Sequence, residues 1–260
     1  ATVDLRMYGP GDVTGLDHRQ VARVAPTPKT TAFPPNYFPL VEFVRADLPW
    51  LFSPQRADED GRNQPWLTLV CVPVDADGVE FSPAGPGPLP VLTTPAAQLP
   101  DLSEAWAWTH VQYSGRSTVT GDPDVFTGRS ERTLSRLVCP RNLQPKTKYR
   151  ACVVPTYEPG RRAGLGLAPY EGDDETARPA WTDQQSVRLP VYHTWEFTSA
   201  KRGDFESLAR ELDPVTFGDD VGFRTIDVSD PGPETLKPEG GAGEDATVGV
   251  GGALRSVGAT

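Results

Sequence analysis

The sequence predicts a mainly β protein built from antiparallel, sandwich-like sheets, and three observations carry that reading. The stretch from Leu137 to Leu167 contains an L-x-P-x-T-x-Y pattern at Leu143, Pro145, Thr147 and Tyr149. A proline turn there feeds a strand whose alternate residues Tyr149, Ala151, Val153 and Pro155 share one side. The run PWLTLVCVPVD, from Pro65 to Asp75, is apolar on both faces and predicts a central strand. Finally, 28 Pro and 25 Gly make up about a fifth of the 260 residues, where roughly twelve per cent is ordinary. Aromatic content stays normal, which argues for many short strands joined by stiff turns and against a disordered chain. Helical patterns do not alternate with strands, which disfavours a parallel α/β fold.

Taken in order, residues 2–8 alternate and read as a first strand, and GPGDVTGLD follows as a turn region before a return strand from His18 to Pro26. A Pro/Thr linker at 29–35 leads to a strand over 40–44, kept short by Pro39 and Pro49. The charged loop 55–64 precedes the 65–75 strand, a turn at 75–78, a short strand at 79–81 and a Pro/Gly loop at 82–90. The segment LPDLSEAWAWTHVQY is ambiguous: Asp101 or Ser103 suits a helix cap, yet Trp106, Trp108, His110 and Gln112 alternate against Ala105, Ala107, Thr109 and Val111. That alternation favours a strand over 105–113. A loop over 114–129 precedes a short helix at 130–137, capped by Ser130 and ended by Pro140. Beyond the organising stretch come an acidic loop at 169–185, a long strand over 187–199 and a helix at 203–212 capped by Asp204. A last strand over 221–228 gives way to an acidic, Gly/Pro-rich tail. The length suits one large β domain or two smaller ones. The division read from composition is an N-terminal β unit at 1–113, a sandwich-like unit at 130–228 and a tail at 229–260, with a single compact domain as the alternative.

Charge and motifs narrow the chemistry. A net charge of −10 and a pI near 4.8 argue against a nucleic-acid groove, which needs a basic stripe. The residues GPGDV resemble a phosphate loop only superficially, lacking the G-x-x-x-x-G-K-[ST] frame. Cys71, Cys139 and Cys152 each sit among apolar neighbours and read as buried free thiols, with a Cys139–Cys152 hairpin disulfide as the alternative. His18, His110 and His193 are far apart, and no metal-ligand spacing or calcium loop is met. No G-x-S-x-G elbow is present, so no catalytic, cofactor-binding or metal residue is assigned. Glycosidase chemistry stays open because its two carboxylates need no local motif. Trp106 and Trp108, placed on one strand face, suit either stacking on a sugar or packing in the core. Arg161 and Arg162 form a local cation pair in a run expected to leave the sheet as an ordered loop over 157–166, with Gly160, Gly164 and Gly166 allowing its turns. Glu158 and Glu171 to Glu175 are the nearest carboxylates for one of those arginines. The opening ATVDLRMYGP has no signal-peptide pattern and no run is long enough to span a bilayer, so a cytoplasmic chain is expected.

Two resemblances follow from these residues. The L-x-P-x-T-x-Y step is similar to one in fibronectin type III domains, where a tyrosine at a sheet corner bonds back to the upstream backbone, and this implies such a role for Tyr149. More broadly, GPGDVTGLD, PNYFPLVEF with LPWLFSP, QPWLTLVCV, LSEAWAWTHVQ, CPRNLQPKTKYRACVVPTYEPGRRAGLG, YHTWEFTS with GDFESLAREL, and GGALRS occur in order along nearly the whole chain. Together they resemble a family of β-rich bacterial and archaeal proteins associated with gene clusters for phage-tail-like contractile injection systems. The resemblance implies a non-enzymatic structural or assembly component. Its partners would be other protein subunits of a particle, self-association included, with no nucleic acid and no cofactor. A carbohydrate-binding module or glycoside hydrolase using Trp106, Trp108 and scattered carboxylates is the alternative.

Overall fold

The computed structural model of the chain describes residues 7–84, 87–114, 132–170, 177–182, 184–201, 209–213, 221–229 and 247–252. It is mainly β, and each of its four sheets is antiparallel. The chain divides into two compact units, Ala1–Phe205 and Glu206–Thr260. The first carries β1 (Val21–Ala25), β2 (Leu40–Phe43), β3 (Leu67–Pro73), β4 (Glu80–Ser82), β5 (Val91–Thr94) and β6 (Thr109–Tyr113). It continues with β7 (Thr133–Val138), β8 (Lys148–Pro155), the helix α1 (Glu158–Gly164), β9 (Val187–Pro190) and β10 (His193–Thr198). The second unit carries the hairpin of β11 (Phe223–Asp227) and β12 (Thr247–Gly251).

In the first unit, a three-stranded sheet in the order β10-β8-β3 lies between a four-stranded sheet, β1-β2-β7-β6, and a three-stranded one, β4-β5-β9. The period-2 alternation of β strands explains how the middle sheet serves two cores. Leu67, Leu69 and Cys71 of β3, with Tyr149, Ala151 and Val153 of β8 and Trp195 and Phe197 of β10, pack against Val41, Phe43 and Leu137 of the four-stranded sheet. The intervening residues Val70, Val72, Cys152 and Val154 pack against Leu92, Val187 and Leu189 on the opposite side. The apolar run at 65–75 is therefore buried on both faces, as its composition predicts. Its centrality belongs to the layer: within the sheet β3 is an edge, and β8 lies between β3 and β10.

The L-x-P-x-T-x-Y step forms the corner its pattern implies. Tyr149 is fully buried, stacks on Phe197 with centroids 5.8 Å apart, and its hydroxyl accepts from the Gln144 backbone N–H at 2.8 Å. Ser199 Oγ donates to the Gln144 carbonyl at 2.5 Å and accepts from Thr147 N–H at 2.9 Å, which ties the same corner to the end of β10.

Several expectations are corrected. The predicted helix at 130–137 is strand β7 over its described part: Thr133, Ser135 and Leu137 are buried in alternation with Leu134, Arg136 and Val138. Pairing to both β2 and β6 outweighs a weak cap signal. The long strand over 187–199 is two strands in different sheets, because Pro190 has no amide hydrogen to donate to the ladder and the chain bends at Val191-Tyr192. The strand expected over 105–113 begins only at Thr109; residues Leu102–Trp108 wind as a 3-10 helix whose N-cap is Asp101. β5, unpredicted, joins β4 to β9. Part of the tail expected at 229–260 forms β12 against β11. The proposed division near 114–130 gives way to one at Phe205/Glu206, because β2 and β6 pair directly with β7 across it. The strand at 2–8 and the helix at 203–212 lie largely outside the described residues; Met7 and Tyr8 are not strand, and Ala209 and Arg210 are helical.

The outer face of the four-stranded sheet carries a charge ladder set by register. Val41 and Phe43 point into the core, so Glu42 points away, opposite Arg23 on one side and Arg136 on the other. Arg23 Nε donates to Glu42 Oε2 at 2.8 Å and its Nη2 to Oε1 at 3.0 Å, while Arg136 Nε donates to Oε1 at 2.9 Å. The Glu42 side chain is only 6% exposed. The Arg23 hydrogen bonds, then those of Arg136 and both charges, hold its carboxyl below the ordinary value of 4.5 against an opposing burial effect. A depressed folded-state value means that this stabilisation is present above pH 4.5 and is lost as the pH falls through the lowered folded value. We therefore expect Glu42→Gln to lower the urea midpoint at neutral pH and to converge with the wild type in acid. Parallel midpoint-versus-pH curves would show that the ladder contributes nothing pH-dependent.

Candidate functional site

Where β8 ends, the chain builds a cleft of about 910 Å³. Thr156 and Tyr157 contribute to its wall because the 178–180 segment pairs with them: Ala180 N–H donates to Thr156 O at 2.8 Å, and Glu158 N–H to Arg178 O at 2.8 Å. Trp181, buried, donates from Nε1 to Pro100 O at 2.9 Å and so clamps this segment to the start of the 3-10 helix. Gln55, Gln64, Gln184 and Gln185 complete the polar lining with Asp101 and Ser103.

The hydrogen-bonding character of this cleft is mostly neutral. Gln64 Nε2 donates to Ser103 O at 2.9 Å, while its buried Oε1 has no hydrogen-bond partner in the described structure. Burial pushes the Tyr157 hydroxyl up to about 12, so it stays protonated and able to donate; Gln55 Oε1 lies 3.4 Å away. Asp101 is held below the usual carboxylate range by hydrogen bonding to the Ser103 backbone N–H, at 2.8 Å, and then to its side chain. It is the one carboxylate among the described lining residues. Such a surface can exchange hydrogen bonds with a neutral ligand rich in hydroxyl or amide groups.

The residues singled out from sequence fall at separate places. Trp106 and Trp108 do not share a strand face. Trp106 lies under the Arg62 guanidinium, 4.6 Å from its ring centroid, and Trp108 packs edge-on against Phe38 at 5.7 Å. The cap signature at Asp101 was the signal for that helical turn, and Thr109 Oγ1 donating to Ala105 O at 2.9 Å marks where the strand takes over. Tyr149 is a core residue of the corner. Of the histidines, His110 is exposed with Nε2 3.0 Å from Ala107 O, and burial lowers the pKa of His193 below its ordinary value. Among the described residues no cluster of three or more His, Cys, Asp or Glu side chains could hold a metal, and no helix is long and apolar enough to cross a membrane.

The segment expected as an exit loop over 157–166 is instead largely the helix α1, entered through Pro159 in its first turn. Its glycines serve two purposes. Gly166 has φ +75°, as a turn requires. Gly164 allows close packing, since a Cβ there would stand 2.5 Å from Pro190 Cβ. Arg161 finds the expected carboxylate in Glu158, with Nε to Oε2 at 2.5 Å and Nη2 to Oε1 at 2.6 Å, while Arg162 Nε donates to Ala168 O at 2.6 Å. The candidate partners at 171–175 lie outside the described residues.

Cleft residues at 55, 64, 101, 156 and 184 have no spacing that sequence could reveal. Trp181 left one signal, a large aromatic isolated in an otherwise polar loop. Comparisons with family models, with curated proteins and with solved structures found no match.

The Arg161–Glu158 pair is largely desolvated, at 20% and 9% side-chain exposure. Removing Arg161 leaves a buried carboxylate, so Arg161→Ala should cost on the order of 2–3 kcal/mol, between exposed and fully buried pairs. Arg162→Ala should cost less than about 1 kcal/mol. Equal thermal midpoints for the two variants would refute this asymmetry.

Proposed function

We propose that this chain is a non-enzymatic structural or assembly subunit of a multi-protein particle, of the phage-tail-like contractile kind that its sequence resembles. The observation that carries the reading is the β11–β12 hairpin. Register puts Arg224, Ile226, Val248 and Val250 on one face, and the three aliphatic side chains are 45%, 50% and 46% exposed. Phe223, at 40% exposure, adds apolar surface opposite. Among the described residues β11 and β12 pair only with each other; a two-stranded sheet is marginally stable in water, and a strand edge beside an apolar stripe accepts a further strand by main-chain pairing. The occupant is a strand of a neighbouring particle subunit, which would extend the hairpin and cover the stripe.

The test is co-purification with sheath, tube or baseplate proteins from cells that assemble such particles. Ile226→Glu with Val248→Glu should remove the chain from the particle fraction and leave its melting midpoint unchanged. A chain that never sediments with particles in those cells would overturn the assignment.

The cleft supports a second reading, a carbohydrate-binding module, because amide side chains and a protonated tyrosine suit sugar hydroxyls. Glycan-array binding by the isolated chain, lost in Gln64→Ala, would favour it over assembly; an array without signal would count against it.

A further inference from the structure

Two of the three cysteines come together at a pocket. Cys71 of β3 and Cys139, one residue past β7, belong to the same core cluster, and both line a pocket of about 300 Å³ with Gln98, Pro140, Arg141 and Asn142. Arg141 closes one side: its Nη2 donates to Gln98 O at 2.6 Å and to Gln98 Oε1 at 2.8 Å, which fixes the guanidinium beside the thiols. Cys152, the other member of the hairpin alternative, projects to the opposite face of the middle sheet, into the second core. Its Sγ lies 3.5 Å from Thr194 Oγ1. All three thiols are free; parity within the middle sheet sends Cys71 and Cys152 to opposite faces, and Cys139 packs in the same core as Cys71.

The environments of the two pocket cysteines differ in a chemically useful direction. The Cys71 thiol beside it holds Cys139 below its ordinary value, helped by the Arg141 backbone N–H and guanidinium charge against the opposing effect of burial. Burial, then Cys139 itself, raises Cys71 well above the ordinary value. Burial pushes Cys152 up to about 12. Cys71 and Cys139 are 1% and 2% exposed, yet both line the pocket, where donors and a guanidinium around Cys139 and a second thiol alongside favour oxidation through a sulfenic acid to a disulfide once an oxidant enters.

We propose that Cys139 and Cys71 form a dithiol site that reduces a small hydroperoxide entering the Arg141-walled pocket. The Cys139 thiolate attacks the outer peroxide oxygen, the O–O bond breaks, and its electron pair leaves on the inner oxygen, which takes up a proton as an alcohol or water. Cys139 becomes a sulfenic acid. Cys71 then attacks that sulfur, the S–O bond breaks, the sulfenic hydroxyl departs as water with the Cys71 proton, and the S–S bond forms. The peroxide gains two electrons and each sulfur loses one. This inference is independent of the assembly reading, because neither cysteine lies in the β11–β12 hairpin.

The experiment treats the folded, reduced full chain with hydrogen peroxide and maps thiols by alkylation and peptide mass spectrometry. The expected product is a Cys71–Cys139 disulfide with Cys152 still alkylatable, formed about ten-fold faster than any oxidation at Cys152, given the selectivity of thiolate chemistry. Cys71→Ser should leave a sulfenic acid at Cys139 that dimedone captures, and Cys152→Ser should behave as wild type. Disulfide mapping of the wild-type chain decides the pairing even where a variant does not fold. Oxidation of Cys152 as fast as Cys139, or no reaction at any cysteine until urea unfolds the chain, would overturn the proposal.

Discussion

The fold depends on β8 being buried on both of its faces and paired along both of its edges. A buried backbone must place its N–H and C=O groups in hydrogen bonds, and β8 does so through antiparallel ladders with β3 and β10. Once that pairing is made, parity decides everything around it. Tyr149, Ala151 and Val153 face one core; Cys152 and Val154 face the other. The flanking sheets then cover apolar surfaces that would otherwise remain in water, at about 25 cal/mol for each Å² removed. The Tyr149 corner starts the strand, and α1 follows its end, so the cleft and the helix are both positioned by the same element.

Charge is arranged around that apolar frame rather than within it. Glu42 takes two arginines on the outer face of the four-stranded sheet. At one corner of the middle sheet, Glu196 takes Lys148 at 2.7 Å together with Arg150, whose guanidinium also lies 3.8 Å over the Phe81 ring. Both carboxyls are held below their ordinary range, chiefly by side-chain hydrogen bonds to these cations. Arg23, Arg136, Lys148 and Arg150 thus sit where registered strands present carboxylates, while Arg19, Arg45, Arg62 and Arg161 pair with carboxylates two or three residues away. The cleft is different in kind. Its lining is dominated by amides and small apolar groups, so its selectivity rests on hydrogen-bond geometry more than on charge.

The first unit and the β11–β12 hairpin represent opposite economies of burial. In the first, the strands of the middle sheet are covered on both sides by neighbouring layers. In the hairpin every described residue is exposed, aliphatic ones included. A strand pair with that composition has apolar area to lose on contact with another chain, which is the physical basis for reading it as an assembly element. The dithiol pocket has a third character, since it sits at the seam between the middle and four-stranded sheets, where a core position also borders a pocket.

Local chemistry in the sequence determined the class of fold and much of its detail. The proline-led step at Leu143 to Tyr149, the doubly apolar run of β3, the alternation of His193, Trp195 and Phe197, and the Arg161–Glu158 pairing all depend on residues a few positions apart. Short-range sterics and period-2 burial govern such features, so they are legible. Tertiary structure decided the rest. Only pairing with β2 and β6 could make β7 a strand despite its serine cap, and only a switch between sheets could divide 187–199 at Pro190. The cleft gathers Gln55, Gln64, Asp101, Tyr157 and Gln184 from separate segments, and the Cys71–Cys139 pair joins β3 to the residue just past β7. None of these contacts leaves a periodic trace in one chain, because closing a long loop costs only slowly increasing entropy and burial compensates wherever complementary surfaces meet.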